Sequence, residues 1–169
     1  MPGERRGPAR RPGDARADAL RDRFAGVYGR CPVPVPVESI AEDLLGLRLR
    51  SADMPVSGLL VVPRRELWTH AGEPHVRRRF TIAHEIAHWV CHRDGRPPRC
   101  DLTADAPQRD PREREANTYA AELLMPAGAV RAARAELADL RALAARFAVS
   151  DEAMAWRLFN LALGPRPHP

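Results

Sequence analysis

The chain has 169 residues, of which 44% are hydrophobic and 29% charged, and its formal net charge is +5. This composition excludes a wholly disordered chain, and the length suits one compact domain better than two. No apolar run is long enough to span a bilayer, and the first residues lack the apolar core of a signal peptide, so no membrane association is expected.

The cysteines indicate the cellular compartment of the protein, whereas its net charge does not identify a class of binding partner. Cys31, Cys91 and Cys100 are an odd number and lack the spacing of a disulfide framework. Such usage fits a reducing compartment, so we expect a cytoplasmic protein. The positive charge is compatible with nucleic-acid binding, but equally with a surface that uses arginine as its general cation.

The first part of the chain predicts short helices and strands. Residues 1–14 mix Pro, Gly and Arg without periodicity, which is typical of a disordered basic leader. Apolar side chains spaced by three and four residues predict an amphipathic helix over 15–28. After a short helix at 38–45, a strand at 47–50 and two strands joined by a turn within 58–70 predict a small antiparallel sheet.

The second part predicts mainly helices. Residues 93–110 have no apolar period, which indicates a long loop that could gate a site. Asp110 as N-cap and Pro111 at the first helical position predict a helix that ends at Leu124. Further helices are expected at 127–135, 136–147 and 151–163, and the last two resemble a helix-turn-helix pair.

The helix that contains FTIAHEIAHWVCH (80–92) carries the clearest chemical signal. His84 and His88 are four residues apart and therefore lie on one stripe of the helix, with Glu85 beside them. This HExxH pattern supplies two nitrogen ligands for zinc and a carboxylate that can act as general base on water. The pattern also occurs by chance, but the surrounding positions are apolar all round, and a buried His–Glu–His group is hard to stabilise without a ligand.

A catalytic zinc site needs a third protein ligand. The candidates are His92, Cys91, Cys100 and the carboxylates Glu113, Glu115 and Glu122 of the following helix. His92 lies a further turn along, about 6 Å up the helix axis, and we interpret it as a residue outside the ligand set. Glu113 is the favoured ligand, and Asn117, one turn on, could orient a ligand histidine by a hydrogen bond. Alternatively, Glu113 completes a capping box with Asp110.

Three stretches resemble, in order, the signatures of the ImmA/IrrE family of metallopeptidases. They are RRRFTIAHEIAHWVCH (77–92), EREANTYAAELLMP (113–126) and LAARFAVSDEAMAWRL (143–158), and the likeness covers roughly residues 35–163. The resemblance implies an α+β fold, a mostly helical zincin-like minidomain with the small antiparallel sheet and the C-terminal helical pair. It also implies that His84, His88 and Glu113 bind one Zn²⁺ ion and that Glu85 is the general base.

The same resemblance implies an organisation and a substrate. We expect a zincin-like core at 15–126, a C-terminal helical subdomain at 127–163 and a tail at 164–169. We expect an endopeptidase that cleaves a regulatory protein, an XRE-type helix-turn-helix transcriptional repressor, and so acts in transcription regulation and stress response. Apart from the resemblance, peptide hydrolysis requires a hydrogen-bond donor to the oxyanion that develops on the substrate. The candidates for this donor, unranked by the sequence, are His70, His75, Arg78 and His92.

Two rival functions follow from the same residues. In the first, the protein is a DNA-binding transcriptional regulator with a structural zinc, whose last helix would contact bases through Arg157 and Asn160. The otherwise apolar character of that helix argues against direct nucleic-acid binding. In the second, the protein binds a repressor without cutting it.

Overall fold

The computed structural model describes residues 12–92, 99–100 and 110–167. The described residues exclude most of the predicted leader at 1–14 and most of the predicted loop at 93–110. The proposal that this loop gates a site therefore stays a prediction.

Helices account for most of the described chain. They are α1 (Pro12–Tyr28), α2 (Val37–Ser39), α3 (His75–Cys91), α4 (Pro111–Leu124), α5 (Ala127–Glu136), α6 (Leu140–Phe147) and α7 (Asp151–Asn160). A π-helical turn at Ile40–Leu44 continues α2, and a 3-10 turn occupies Val62–Arg64. None of these helices is both long and apolar enough to cross a membrane.

The sheet contains β1 (Arg48–Ala52), β2 (Gly58–Val61), β3 (Glu66–His70) and β4 (Arg99–Cys100), in the order β1-β3-β2-β4. β2 is antiparallel to β3 and to β4, but β1 is parallel to β3. The fold class is therefore the predicted one, α+β and mostly helical, whereas the prediction of a wholly antiparallel sheet was wrong. The tight turn after β2 reverses the chain and inserts β3 between β1 and β2, so that β1 and β3 run in the same direction.

The predicted helix starts depend on caps that the structure contains. The Asp110 carboxylate accepts the Arg112 amide at 2.8 Å, and the Ser150 hydroxyl accepts the Ala153 amide at 3.1 Å. α6 begins later than predicted, because Asp139 caps it by accepting the Ala142 amide at 2.8 Å. α7 ends earlier than predicted, and Ala162, shortly after its end, has a left-handed φ of 56°.

α3 lies at the centre of the fold. It packs against α4 and against β2 and β3, while α1 packs on α4. Every residue from Thr81 to Trp89 is buried, as the apolar pattern predicted. On the same helix, buried Arg79 donates to the carbonyl of Val35 at 2.7 Å and to that of Ala148 at 3.2 Å. Arg79 therefore ties the segment before α2 to the α6–α7 connection. The subdomain boundary proposed at 126–127 stays a prediction.

Candidate metal centre

Two helices bring three ligand-type side chains to one point. His84 and His88 on α3 are 0% and 1% exposed, and their Nε2 atoms lie 3.0 Å apart. From the first turn of α4, Glu113 places Oε2 at 3.0 Å from His84 Nε2 and Oε1 at 3.3 Å from His88 Nε2. In the part of the chain that the structure describes, this is the one group of three or more His, Cys, Asp or Glu residues that could hold a metal ion.

Glu113 lies in the first turn of α4, and its carboxylate points at the two histidines of α3. Asp110 caps the helix through the Arg112 amide, while both oxygens of the Glu113 carboxylate contact histidine nitrogens. These contacts are the ones expected of a metal ligand, and the alternative of a capping box with Asp110 stays a prediction.

The electrostatics of the cluster suit a cation. Burial acts to raise the pKa of Glu113, but hydrogen bonds with His84 and His88 outweigh it and lower that pKa to about 2. Burial lowers the pKa of His88, although Glu113 opposes this effect. A carboxylate that stays ionised and an imidazole that stays neutral are the protonation states that metal ligands require. Two imidazole nitrogens and one carboxylate also form a donor set that suits zinc.

The ring nitrogens that point away from the cluster also have partners. His84 Nδ1 lies 3.0 Å from Asn117 Oδ1, and His88 Nδ1 lies 3.0 Å from His92 Nδ1. Asn117 and His92 thus contact the two clustered histidines and lie outside the group that could hold a metal ion. Contacts of this kind fix the tautomer and the orientation of a metal-binding ring.

Glu85, the candidate general base, is a residue of α3 whose side chain points toward β2. It is fully buried, and its carboxylate faces Gly58 of β2. A Cβ placed on Gly58 would lie 2.7 Å from Glu85 Oε1 and 2.5 Å from Thr81 Cγ2, distances too short for a real contact. α3 can approach the strand this closely because residue 58 has no side chain. Gly58 is not predictable from the sequence as a neighbour of Glu85, because a single glycine in a strand pattern has many explanations.

The remaining candidates lie elsewhere. Glu122 forms an ion pair with Arg157, and Glu115 contacts His92 Nε2 at 3.1 Å. Cys91 is a partly buried free thiol and is not one of the clustered ligands, and the Cys100 side chain is outside what the structure describes.

Three of the proposed oxyanion donors are engaged in other contacts, and one of them is His92, whose two ring nitrogens contact His88 and Glu115. His70 accepts the Gly72 amide at 2.9 Å, and its Nε2 lies 3.4 Å from Asp53. His75 lies 4.0 Å from Glu38 at the start of α3, about 13 Å along the helix axis from His84.

Comparison with known proteins decides the family. The model of the peptidase family Peptidase_M78, described as the IrrE N-terminal-like domain, matches residues 42–159. The chain belongs to the ImmA/IrrE family. The resemblance seen in the three sequence stretches is therefore confirmed, and the buried His84, His88 and Glu113 form the group of this family member that could hold a metal ion.

A solved structure gives the same fold. A Mycobacterium tuberculosis transcriptional regulator superposes with a TM-score of 0.58 at 19% sequence identity. The match covers 88% of this ImmA/IrrE chain and 52% of the regulator, so this chain spans about half the length of that protein. No curated protein sequence matches the chain.

Proposed function

We propose that this ImmA/IrrE protein is a zinc-dependent endopeptidase. One observation carries the proposal: His84 Nε2, His88 Nε2 and the two oxygens of Glu113 converge within the fold. The buried Glu85 is the next residue after His84 on the same helix. His84, His88 and Glu113 would hold one Zn²⁺ ion. When bound, zinc would supply a Lewis acid that polarises the substrate carbonyl and acidifies water.

The chain's own residues would handle the proton. Glu85 adjoins His84 in sequence and would accept a proton from the attacking water as general base. The same carboxyl group would then return the proton to the amine that leaves when the peptide bond breaks. The Glu85 side chain is fully buried, and its carboxylate lies against Gly58 of β2.

The proposed substrate is a regulatory protein, an XRE-type helix-turn-helix repressor. This substrate class comes from the resemblance in the sequence. The chain also shares its fold with a mycobacterial transcriptional regulator, which is consistent with a role in gene regulation.

The DNA-binding alternative loses one of its two base-contacting candidates. Arg157 is 7% exposed, pairs with Glu122 and donates through Nε to the Met125 carbonyl at 2.9 Å. The exposed face of α7 instead displays Trp156 and Phe159, at 37% and 38% exposure. A recognition helix needs exposed polar side chains, and apart from Asn160 the exposed polar residues of α7 are the acidic Asp151 and Glu152, which DNA phosphates would repel.

Cleavage of a candidate repressor by the purified, zinc-loaded protein tests the proposal. We expect the wild type to cut the repressor and Glu85→Gln to bind the same amount of zinc without cutting it. Glu152→Gln, an exposed position at the start of α7, is the matched control and should cut normally. A Glu85→Gln variant with wild-type activity would contradict the assigned base. Stable repressor binding without cleavage by the wild type would favour the non-cleaving alternative, and salt-sensitive DNA binding would favour the regulator.

A further inference from the structure

We propose that His92 and Glu115 form a relay that positions the metal ligand His88. In this relay His92 contacts His88, and Glu115 contacts His92. The inference rests on the proposed metal site and deepens it, because it assigns positioning roles to a histidine and a carboxylate that are not ligands.

The relay joins three helices through consecutive contacts. His88 Nδ1 on α3 lies 3.0 Å from His92 Nδ1, just after the end of α3. His92 Nε2 lies 3.1 Å from Glu115 Oε2 on α4. At the outer end, the Arg16 guanidinium on α1 donates to Glu115 Oε1 at 3.5 Å.

A single arrangement of protons satisfies these contacts when His88 binds a metal. A neutral imidazole that coordinates through Nε2 carries its proton on Nδ1. That N–H donates to His92 Nδ1, which must then be the unprotonated nitrogen of the His92 ring. His92 therefore carries its own proton on Nε2 and donates it to the Glu115 carboxylate. The carboxylate thus fixes the tautomer of His92, and His92 fixes the tautomer of His88.

The two ligand histidines are held differently. His84 donates to the neutral amide oxygen of Asn117, whereas His88 is linked through His92 to an ionised carboxylate. The His92 side chain is 8% exposed, so its contact with His88 is shielded from water. The Glu115 side chain is 38% exposed and the Arg16 side chain 51% exposed. Because water screens exposed charges, the influence on His88 should decrease from His92 to Glu115.

The experiment measures zinc affinity of the full chain by competition with a chromogenic chelator, together with the visible spectrum of the Co²⁺-loaded protein. His92→Ala should weaken zinc binding about 10- to 100-fold, as loss of such a partner usually does. Glu115→Gln should weaken it less, and both should shift the cobalt bands. His92→Gln should restore much of the affinity, because its amide can accept from His88 and donate to Glu115. His75→Ala and Glu152→Gln, both exposed, are the matched controls and should change neither quantity.

Melting of the metal-free variants separates positioning from a merely structural role. Unchanged melting with weakened zinc binding supports the relay. Zinc affinity and cobalt bands of His92→Ala that equal those of the wild type would overturn it. If His92→Ala fails to fold, Glu115→Gln decides, and a result identical to Glu152→Gln overturns the relay. A wild type that binds no zinc defeats the proposed function and the relay together, whereas a cleaving wild type with an equally active, equally zinc-bound His92→Ala defeats the relay alone.

Discussion

Arg157 of α7 forms a buried ion pair with Glu122 of α4, and both side chains are less than one-tenth exposed. Arg157 also donates to the Met125 carbonyl, while Glu122 accepts the Ala127 amide at 3.2 Å and has Arg21 of α1 at 3.8 Å. Two charges buried together therefore connect the last helix with the helix that carries Glu113. This contact makes α7 part of the scaffold that supports the candidate metal centre.

Arg157→Met should destabilise the protein by about 3 kcal/mol, because it leaves a buried carboxylate without its main cation. Urea unfolding followed by circular dichroism measures the effect. Arg141→Met, whose side chain is 88% exposed beside Asp151, is the control and should cost less than about 1 kcal/mol. The double variant Arg157→Met with Glu122→Gln should regain part of the loss. Equal stabilities of Arg157→Met and Arg141→Met would contradict the role of the pair.

Gly58→Ala should reduce both stability and peptidase activity. Its methyl group would meet the Glu85 carboxylate and the Thr81 methyl group, and such overpacking costs about 1–3 kcal/mol. Adding Thr81→Ser removes one of the two clashes, so it should restore part of the stability but little of the activity, because Glu85 remains displaced.

Gly128→Ala is the matched control for this substitution. It lies in α5 with nothing within 4 Å of the added methyl group. Alanine favours a helix over glycine, so this variant should be as stable as the wild type or more so. A Gly58→Ala protein with normal activity would show that the close approach of β2 does not orient Glu85.

Asn117→Ala should weaken zinc binding about 10- to 100-fold, because His84 Nδ1 loses the oxygen that orients its ring. Asn117→Asp keeps an acceptor at this position and should bind zinc far better than the alanine variant. Thr118→Ala, at the neighbouring residue whose hydroxyl donates to the Arg114 carbonyl, is the control. Isothermal calorimetry gives the affinities, and equal values for the alanine variants at 117 and 118 would contradict the prediction.

Zinc should raise the melting temperature of the wild type, and a chelator should reverse the effect. A ligand that binds the folded state alone stabilises it by about 2.7 kcal/mol at a hundred times its dissociation constant. His84→Ala should abolish the zinc-dependent shift, since it removes one of three converging donors. His75→Ala, on the same helix but beside Glu38, should retain it. A shift that persists in His84→Ala would place the bound zinc elsewhere.

Local features of this protein were readable from the sequence. Because a helix has a period of 3.6 residues, the four-residue spacing of His84 and His88 places both side chains on one face. The starts of α4 and α7 follow from Asp110 and Ser150 as capping residues. The family was recognisable too, because its three signatures are runs of neighbouring residues. Each of these depends on interactions within one or two helical turns.

Tertiary structure alone decided the contacts between distant segments. The parallel pairing of β1 with β3 depends on lateral strand order, and strands of the same pattern can pair in either direction. The approach of Gly58 to Glu85, the burial of Arg157 against Glu122 and the contact of Glu115 with His92 join elements far apart in the chain. Periodicity shows which face of a helix is apolar. How two helices are rotated against each other, however, depends on the packing of all their side chains. The partner of a buried polar residue therefore follows only from the assembled fold.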